Sequence, residues 1–342
     1  MSEPDILGPE YESTILPLGH DAEGEVVATL VRRRAANHGG QAVLYLHGFT
    51  DYFFQRHLAD FFVDAGFDFY ALDLRKYGRS LRPHQTPGLV SSVTEYFTEI
   101  DEAVRIIREA DGHGRLLINA HSTGGLIASL WADRVRGRGL IDAMVLNSPF
   151  LDLNVPAPIR HTTSALTGVL ARLPLRARLP LEYSRVYGGS LHRDHHGEWD
   201  YNLAWKPMGG FPVHATWLAA IRRAQLRLQA GLAIDVPILV LAARKAMRLH
   251  RFTVQAHQAD LVLNPEHMAR WAPALGDHVT CVRFDDGIHD LILSPEPVRS
   301  RVFAEMDRWL SAYLAGWKVA VNESKSRRSS AHRECLVRQN MA

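Results

Sequence analysis

One stretch of this 342-residue chain constrains its fold more than any other: Leu116-Leu117-Ile118-Asn119-Ala120-His121-Ser122-Thr123-Gly124-Gly125. An apolar run bounded by small residues reads as a buried parallel strand, and Leu126, Ile127, Leu130, Trp131 and Val135 then recur with helical spacing. Ser122 therefore falls on a sharp strand-to-helix corner, with its hydroxyl raised above the sheet and the positive end of the helix beneath it. Ala120 and Gly124 flank it because larger side chains would collide where strand and helix close on each other.

A chain that is 46% hydrophobic and 22% charged can bury a large core around such a strand, as one domain with an insertion or as two domains. Its formal net charge of +2 gives no strong field, and no basic groove with interleaved aromatics appears, so nucleic acid is not expected as a partner. The acidic opening Met1-Ser2-Glu3-Pro4-Asp5 lacks a signal pattern and no apolar run reaches bilayer length. The expectation is a cytoplasmic protein without a transmembrane segment. Cys281 and Cys335 make neither a disulfide framework nor a metal-ligand spacing.

Along the chain, Glu12 to Pro17 and Glu25 to Arg32 read as an opening hairpin, and Ala42-Val43-Leu44-Tyr45-Leu46 as a third, buried strand. A helix over 53–65 leads to the strand Phe67 to Leu72, and a helix over Val93 to Ala110 leads to the strand before Ser122. Ala143-Met144-Val145-Leu146-Asn147 is the sixth strand. This β-α-β-α alternation predicts a doubly wound parallel sheet. It stops over 150–233, which is rich in Pro, Arg, His and Trp, with helical pieces near Thr163 to Leu173 and Trp217 to Leu232. It resumes with Asp235 to Ala242, and Val279 to Phe284 forms the last strand before a helix from Val298 to Leu314. Asn264 and Pro265 read as the cap and first residue of a helix. The tail 318–342 is polar, without periodicity, and reads as disordered.

Four motifs carry a family resemblance. The stretch around Ser122 resembles the nucleophile elbow of α/β-hydrolases, with Ala120 in place of the first glycine of G-x-S-x-G. His47-Gly48-Phe49 after the third strand resembles that family's oxyanion loop. Asp73-Leu74-Arg75-Lys76-Tyr77-Gly78-Arg79-Ser80 looks like its D-x-R-G-x-G-x-S loop, with Lys76 where glycine is usual. The D-x-x-x-x-P-E run from Asp260 to Glu266 and the ending Gly287-Ile288-His289-Asp290 look most like the monoacylglycerol-lipase and serine aminopeptidase (S33) group. The resemblance spans roughly Glu12 to Leu314. It implies an α/β-hydrolase fold: a mostly parallel eight-stranded doubly wound sheet, with a core over 1–149 and 234–317 and a helical lid over 150–233 inserted after the sixth strand.

It also implies a site. Ser122 would be the nucleophile, His289 the base and Asp260 the acid, in the family's chain order, with the backbone N–H groups of Phe49 and Thr123 as the oxyanion hole. Asp260 lies far beyond Ala243, where the family usually keeps its acid close, so the excursion 244–258 has to fold back; Asp152, after the sixth strand, is the alternative acid. Among 18 histidines, His47 and His121 read as locally hydrogen-bonded, and His195-His196 beside Asp194 as solvated rather than a metal site. No metal or cofactor is expected. The implied activity is serine-dependent cleavage of small carboxylic esters, lipid-like ones included. Leu166, Val169, Leu170, Leu173 and Leu175 would either line an acyl pocket or pack the lid onto the core. Serine at position 122 excludes the dehalogenase and epoxide hydrolase relatives, which place aspartate there. A lactonase or thioesterase would use the same residues. An S33-type aminopeptidase would need an acidic cluster for the substrate ammonium, which Glu182, Asp194, Glu198 and Asp200 could supply, and a non-catalytic binding protein could keep the fold.

Overall fold

A computed structural model describes residues 3–37, 39–165, 169, 177–179 and 185–314 of the chain. Nine strands form one sheet, in the order β1-β2-β3-β5-β4-β6-β7-β8-β9. β1 (Glu3–Asp5) pairs antiparallel with β2 (Gly8–Asp21), which forms a hairpin with β3 (Gly24–Arg33). β3 is antiparallel to β5 (Asp68–Asp73), and from there β4 (Gln41–Leu46), β6 (Arg115–His121), β7 (Ala143–Asn147), β8 (Ile238–Ala243) and β9 (Val279–Phe284) run parallel. The chain therefore has the α/β-hydrolase fold. The one strand beyond the expected eight is β1, a three-residue edge strand too short to carry an alternating pattern.

The parallel strands form because their residues are apolar on both faces, and alternation sorts them into two layers. Leu44, Leu46, Ile118 and Val240 face a cluster completed by Ile100, Leu126 and Trp131, whereas Val43, Tyr45, Leu117 and Leu239 face one completed by Leu58, Phe62, Val302 and Leu310. The first layer is covered by α2 (Phe97–Arg105) and α3 (Thr123–Val135), the second by α1 (Arg56–Asp64) and, after β9, the terminal helix over 296–313. A 3-10 turn (Val93–Tyr96), capped by Ser92 and Glu95 in a capping box, precedes α2, and a π-helical turn over Ile106–Ala110 extends it, so the expected 93–110 helix is one continuous helical stretch.

Between β7 and β8 lie α4 (Ala157–Ala165), α5 (Arg185–Leu191) and α6 (Ala215–Gln229). α6 packs on α3 and buries Trp217, Ile221 and Leu228 in the same core. Leu166, Leu170, Leu173, Leu175, Glu182 and the tail 318–342 lie outside the described residues, and Val169 is exposed. After β8, α7 (Pro265–Trp271) starts as the sequence indicates, with the Asn264 side chain accepting from the Glu266 N–H at 3.1 Å; α8 is the terminal helix Glu296–Tyr313. No helix among the described residues is long and apolar enough to cross a membrane.

Candidate active site

The C-terminal ends of β4, β6, β7 and β8 and the loop after β9 gather the site. β6 ends at His121 and α3 begins at Thr123, leaving Ser122 at φ 52°, ψ −117°, a backbone conformation costly for any residue with a Cβ. The turn is held by Ser122 N–H donating to the Asn147 carbonyl at 3.0 Å. Its tightness dictates the glycines. A Cβ on Gly124 would lie 2.4 Å from the His47 carbonyl oxygen, and one on Gly125 would lie 2.8 Å from Pro149 Cβ.

Asp260 is carried to the site by a fold-back of the segment after β8. The segment after β8 doubles on itself, the Asp260 N–H donating to the Lys245 carbonyl at 3.0 Å and the Met247 N–H to the Asp260 carbonyl at 3.0 Å. The Asp260 carboxylate is fully buried, and its Oδ1 accepts from the Val262 and Leu263 N–H groups, each at 2.7 Å. Its Oδ2 lies 2.9 Å from His289 Nδ1. An ionised carboxylate only accepts, so Nδ1 carries the proton and Nε2 is left as an acceptor. Nε2 sits 3.0 Å from Ser122 Oγ, whose hydroxyl donates to it. Asp260, His289 and Ser122 thus form one chain of hydrogen bonds. Asp152 is elsewhere, paired with Arg222 at 2.7 Å and Arg160 at 3.3 Å and accepting from Trp271 Nε1 at 3.2 Å.

Phe49 and Thr123 flank the serine. Thr123 opens α3, where the first N–H groups have no intrahelical acceptor. The loop bearing Phe49 is pressed against the elbow, because a Cβ on Gly48 would come within 3.0 Å of Ser122 Cβ. His47 accepts from the Leu74 N–H at Nε2 (3.0 Å) and donates from Nδ1 to the Gly48 carbonyl (2.7 Å), and His121 Nδ1 lies 3.1 Å from the Asn147 carbonyl. Burial lowers the pKa of both imidazoles and keeps them neutral.

Several surrounding groups carry no sequence motif of their own. Asn147, at the end of β7, donates from Nδ2 to Asp290 Oδ1 at 2.6 Å and accepts the Leu291 N–H at 3.2 Å, so one residue ties the serine turn to the histidine loop. The Tyr187 hydroxyl accepts the Asp290 N–H at 3.2 Å, and its ring meets His289 edge-on, centroids 5.8 Å apart. Burial raises the Tyr187 pKa well above its ordinary value, so the ring stays a neutral phenol. Only its terminal position on an apolar strand marks Asn147 in the sequence.

Asp51, His121 and Asp290 are buried with ligand-type atoms within 4.8 Å of one another. The group does not fit an open ligand set. Asp290 gives both oxygens to the amides of Asn147 and Gln55, and Asp51 Oδ1 accepts from the Lys206 ammonium at 2.7 Å. Burial alone would raise the Asp51 pKa, and the Lys206 ammonium, the nearest charge, brings it below the usual carboxylate value.

A pocket of about 60 Å³ opens on Ser122 and His289, lined also by Asp51, Lys206, Tyr187 and Tyr201. Beside it lies a cleft of about 620 Å³, mostly apolar, and Val262 lines both. Of the acids expected to hold an ammonium, the described ones, Asp194, Glu198 and Asp200, line neither. Glu198 pairs with Arg299 at 2.8 Å and Asp200 with Arg193 at 2.9 Å, while Asp194 is exposed beside His192 and Arg193.

Residues 38–296 match the profile of the family described as serine aminopeptidase, S33. No curated protein sequence matches the chain. Among solved structures, the chain resembles the monoacylglycerol lipase of Paleococcus ferrophilus, at 21% identity and a TM-score of 0.60, over 83% of this chain and 99% of that one. It also resembles a soluble variant of monoglyceride lipase from Saccharomyces cerevisiae in complex with a substrate analog, at 17% identity and a TM-score of 0.62, over 88% and 96% of the two chains. Est1E from Butyrivibrio proteoclasticus, bound to ferulic acid, follows at 15% identity and a TM-score of 0.55, over 88% and 99%.

Proposed function

The chain belongs to the serine aminopeptidase S33 family of α/β-hydrolases, and from that premise we propose that it cleaves carboxylic esters through Ser122, His289 and Asp260. The observation that carries this reading is the unbroken run of hydrogen bonds from a buried, doubly N–H-bonded carboxylate to a hydroxyl on a strained turn. Ser122 Oγ attacks the acyl carbon as its proton passes to His289 Nε2. The tetrahedral oxygen turns to the N–H groups of Phe49 and Thr123, each worth about 3 kcal/mol to the transition state by analogy with single-donor deletions. Asp260 stabilises the imidazolium, which then protonates the departing alkoxide and leaves an acyl-enzyme on Ser122. Water, deprotonated by His289, attacks that ester; the carboxylic acid departs and Ser122 recovers its proton.

An ester rather than an N-terminal peptide bond is supported by the surroundings. The described lid acids are neutralised by arginines away from the pocket, and Asp51, the one carboxylate among the described residues that lines it with the serine, already holds Lys206. The large apolar cleft suits an acyl chain. The monoacylglycerol and monoglyceride lipases among the similar structures make lipid-like esters the first class to test. A fluorophosphonate probe should label the wild-type protein and not Ser122→Ala. A panel of p-nitrophenyl acyl esters should be turned over and aminoacyl-p-nitroanilides should not. Labelling that survives in Ser122→Ala, or turnover of the anilides alone, would overturn the assignment.

A further inference from the structure

The cleft beside the serine pocket is apolar along most of its wall, through Phe150, Leu153, Val213 and Trp217, yet Arg185, Arg248 and His250 also line it. Among the described residues no carboxylate lines this cleft, and neither arginine has an acidic partner; the Arg248 guanidinium reaches only the Asn154 carbonyl, at 3.4 Å. Many arginines elsewhere in the molecule meet carboxylates, as in the pairs Arg75–Glu99, Arg79–Asp73, Arg222–Asp152 and Arg283–Glu266. Two guanidinium groups over an apolar trough, with no acid among the described residues to meet them, make a receptor for a chain that is both apolar and anionic.

The placement relative to Ser122 says which part of the substrate this is. Arg185 and Val186 of α5 line the cleft while the next two residues, Tyr187 and Gly188, line the serine pocket, and Val262 borders both. The fold-back that delivers Asp260 to His289 also carries Arg248, Leu249 and His250 to the cleft wall. The serine pocket itself is small, about 60 Å³, with room for a compact alcohol only. The long part of the ester therefore belongs in the cleft.

Resting on the ester-hydrolase reading, we propose that the preferred substrate is an ester whose long apolar acyl part bears an acidic group, carboxylate or phosphate, held by Arg185 and Arg248. The test compares kcat/KM of the full-length protein for p-nitrophenyl decanoate, for the p-nitrophenyl half-ester of decanedioic acid, and for the p-nitrophenyl ester of a decanoyl chain ending in a phosphate monoester. The acidic esters should be favoured about five- to tenfold at low ionic strength, and salt should erode that ratio because the arginines are solvent-accessible. The arm with the larger ratio identifies the acidic group. In the double variant Arg185→Gln, Arg248→Gln the ratio of acidic to neutral ester should fall to about one, whereas Arg105→Gln, which pairs with Glu102 on α2, should keep the wild-type ratio. Equal turnover of the three esters by the wild type, or a ratio that persists in the double variant, would refute this substrate class and leave the hydrolase assignment intact. Failure to turn over any ester, together with no fluorophosphonate labelling, would remove both.

Discussion

Ser122 adopts a backbone conformation that glycine tolerates and residues with a Cβ do not, at a cost of about 1–3 kcal/mol. Ser122→Gly should therefore remove hydrolysis while raising stability by about 1 kcal/mol, the relief of strain exceeding the entropy cost of a glycine in the unfolded chain. Ser122→Ala should remove hydrolysis without that gain, because it keeps the Cβ. Thermal melts of the two variants decide the matter, and a Ser122→Gly protein that melts below wild type would mean that the turn is unstrained. The acid is testable at the same scale. Asp260→Asn places an amide donor opposite His289 Nδ1 and favours the wrong tautomer, so kcat should fall by about 10⁴. Asp152→Asn removes the buried carboxylate charge beside Arg222 and Arg160, so it should cost about 3 kcal/mol of stability and leave kcat per folded molecule near wild type. If instead Asp152→Asn abolished turnover and Asp260→Asn did not, the roles would be exchanged.

At the scale of elements, the loop after β5 departs from its family pattern at Lys76, and the structure gives the compensation. Lys76 sits at φ 63° with its side chain buried, its ammonium 2.6 Å from Asp21 and 2.8 Å from Glu23 in the turn between β2 and β3. Burial alone would raise the Glu23 pKa, but the Lys76 ammonium and the Thr86 hydroxyl and N–H bring it down to about 2. Lys76→Gly would recover about 1 kcal/mol of backbone strain and lose about 3 kcal/mol by removing the buried ammonium from beside Asp21 and Glu23, so the variant should melt lower at neutral pH. A carboxyl depressed in the folded state contributes stability that is complete above its unfolded pKa near 4.5 and is lost as pH falls through about 2. The gap between wild type and Lys76→Gly should therefore be widest above pH 5 and close on acidification; a gap independent of pH would remove Glu23 from the account. Elements such as β4, β6 and β7 are legible in the sequence because both faces are buried and each carries a run of apolar residues, and the Asn264-Pro265 helix start because its chemistry is local. Ser122 is legible for the same reason, standing directly after such a strand, and His289 because the Gly287-Ile288-His289-Asp290 ending follows β9 closely. Asn147, Tyr187 and the arginines of the cleft are not, because their meaning arises only when three remote loops meet.

At the scale of the whole molecule, the segment between β7 and β8 is anchored at two depths. α6 shares the main core with α3, through Trp217, Ile221 and Leu228, whereas Leu191 and Tyr201 belong to a separate small cluster with Tyr52, Phe54, Ile288 and Leu293. The inner part is thus bound to global stability, and the outer part can open while the sheet stays folded. Ile221→Ala, at a fully buried site, should lower the unfolding free energy by about 2–5 kcal/mol in a single transition. Leu191→Ala should act differently. Its cost should appear as faster amide exchange over 185–210, with exchange in β6 and α6 unchanged, because the satellite cluster can separate without exposing the core. Ile288 of that cluster precedes His289, so kcat should also fall as the histidine loop loses its packing. Hydrogen exchange followed by mass spectrometry distinguishes the two variants. Uniform acceleration in Leu191→Ala, with a melting temperature lowered as far as in Ile221→Ala, would mean that the outer segment and the sheet unfold as one unit.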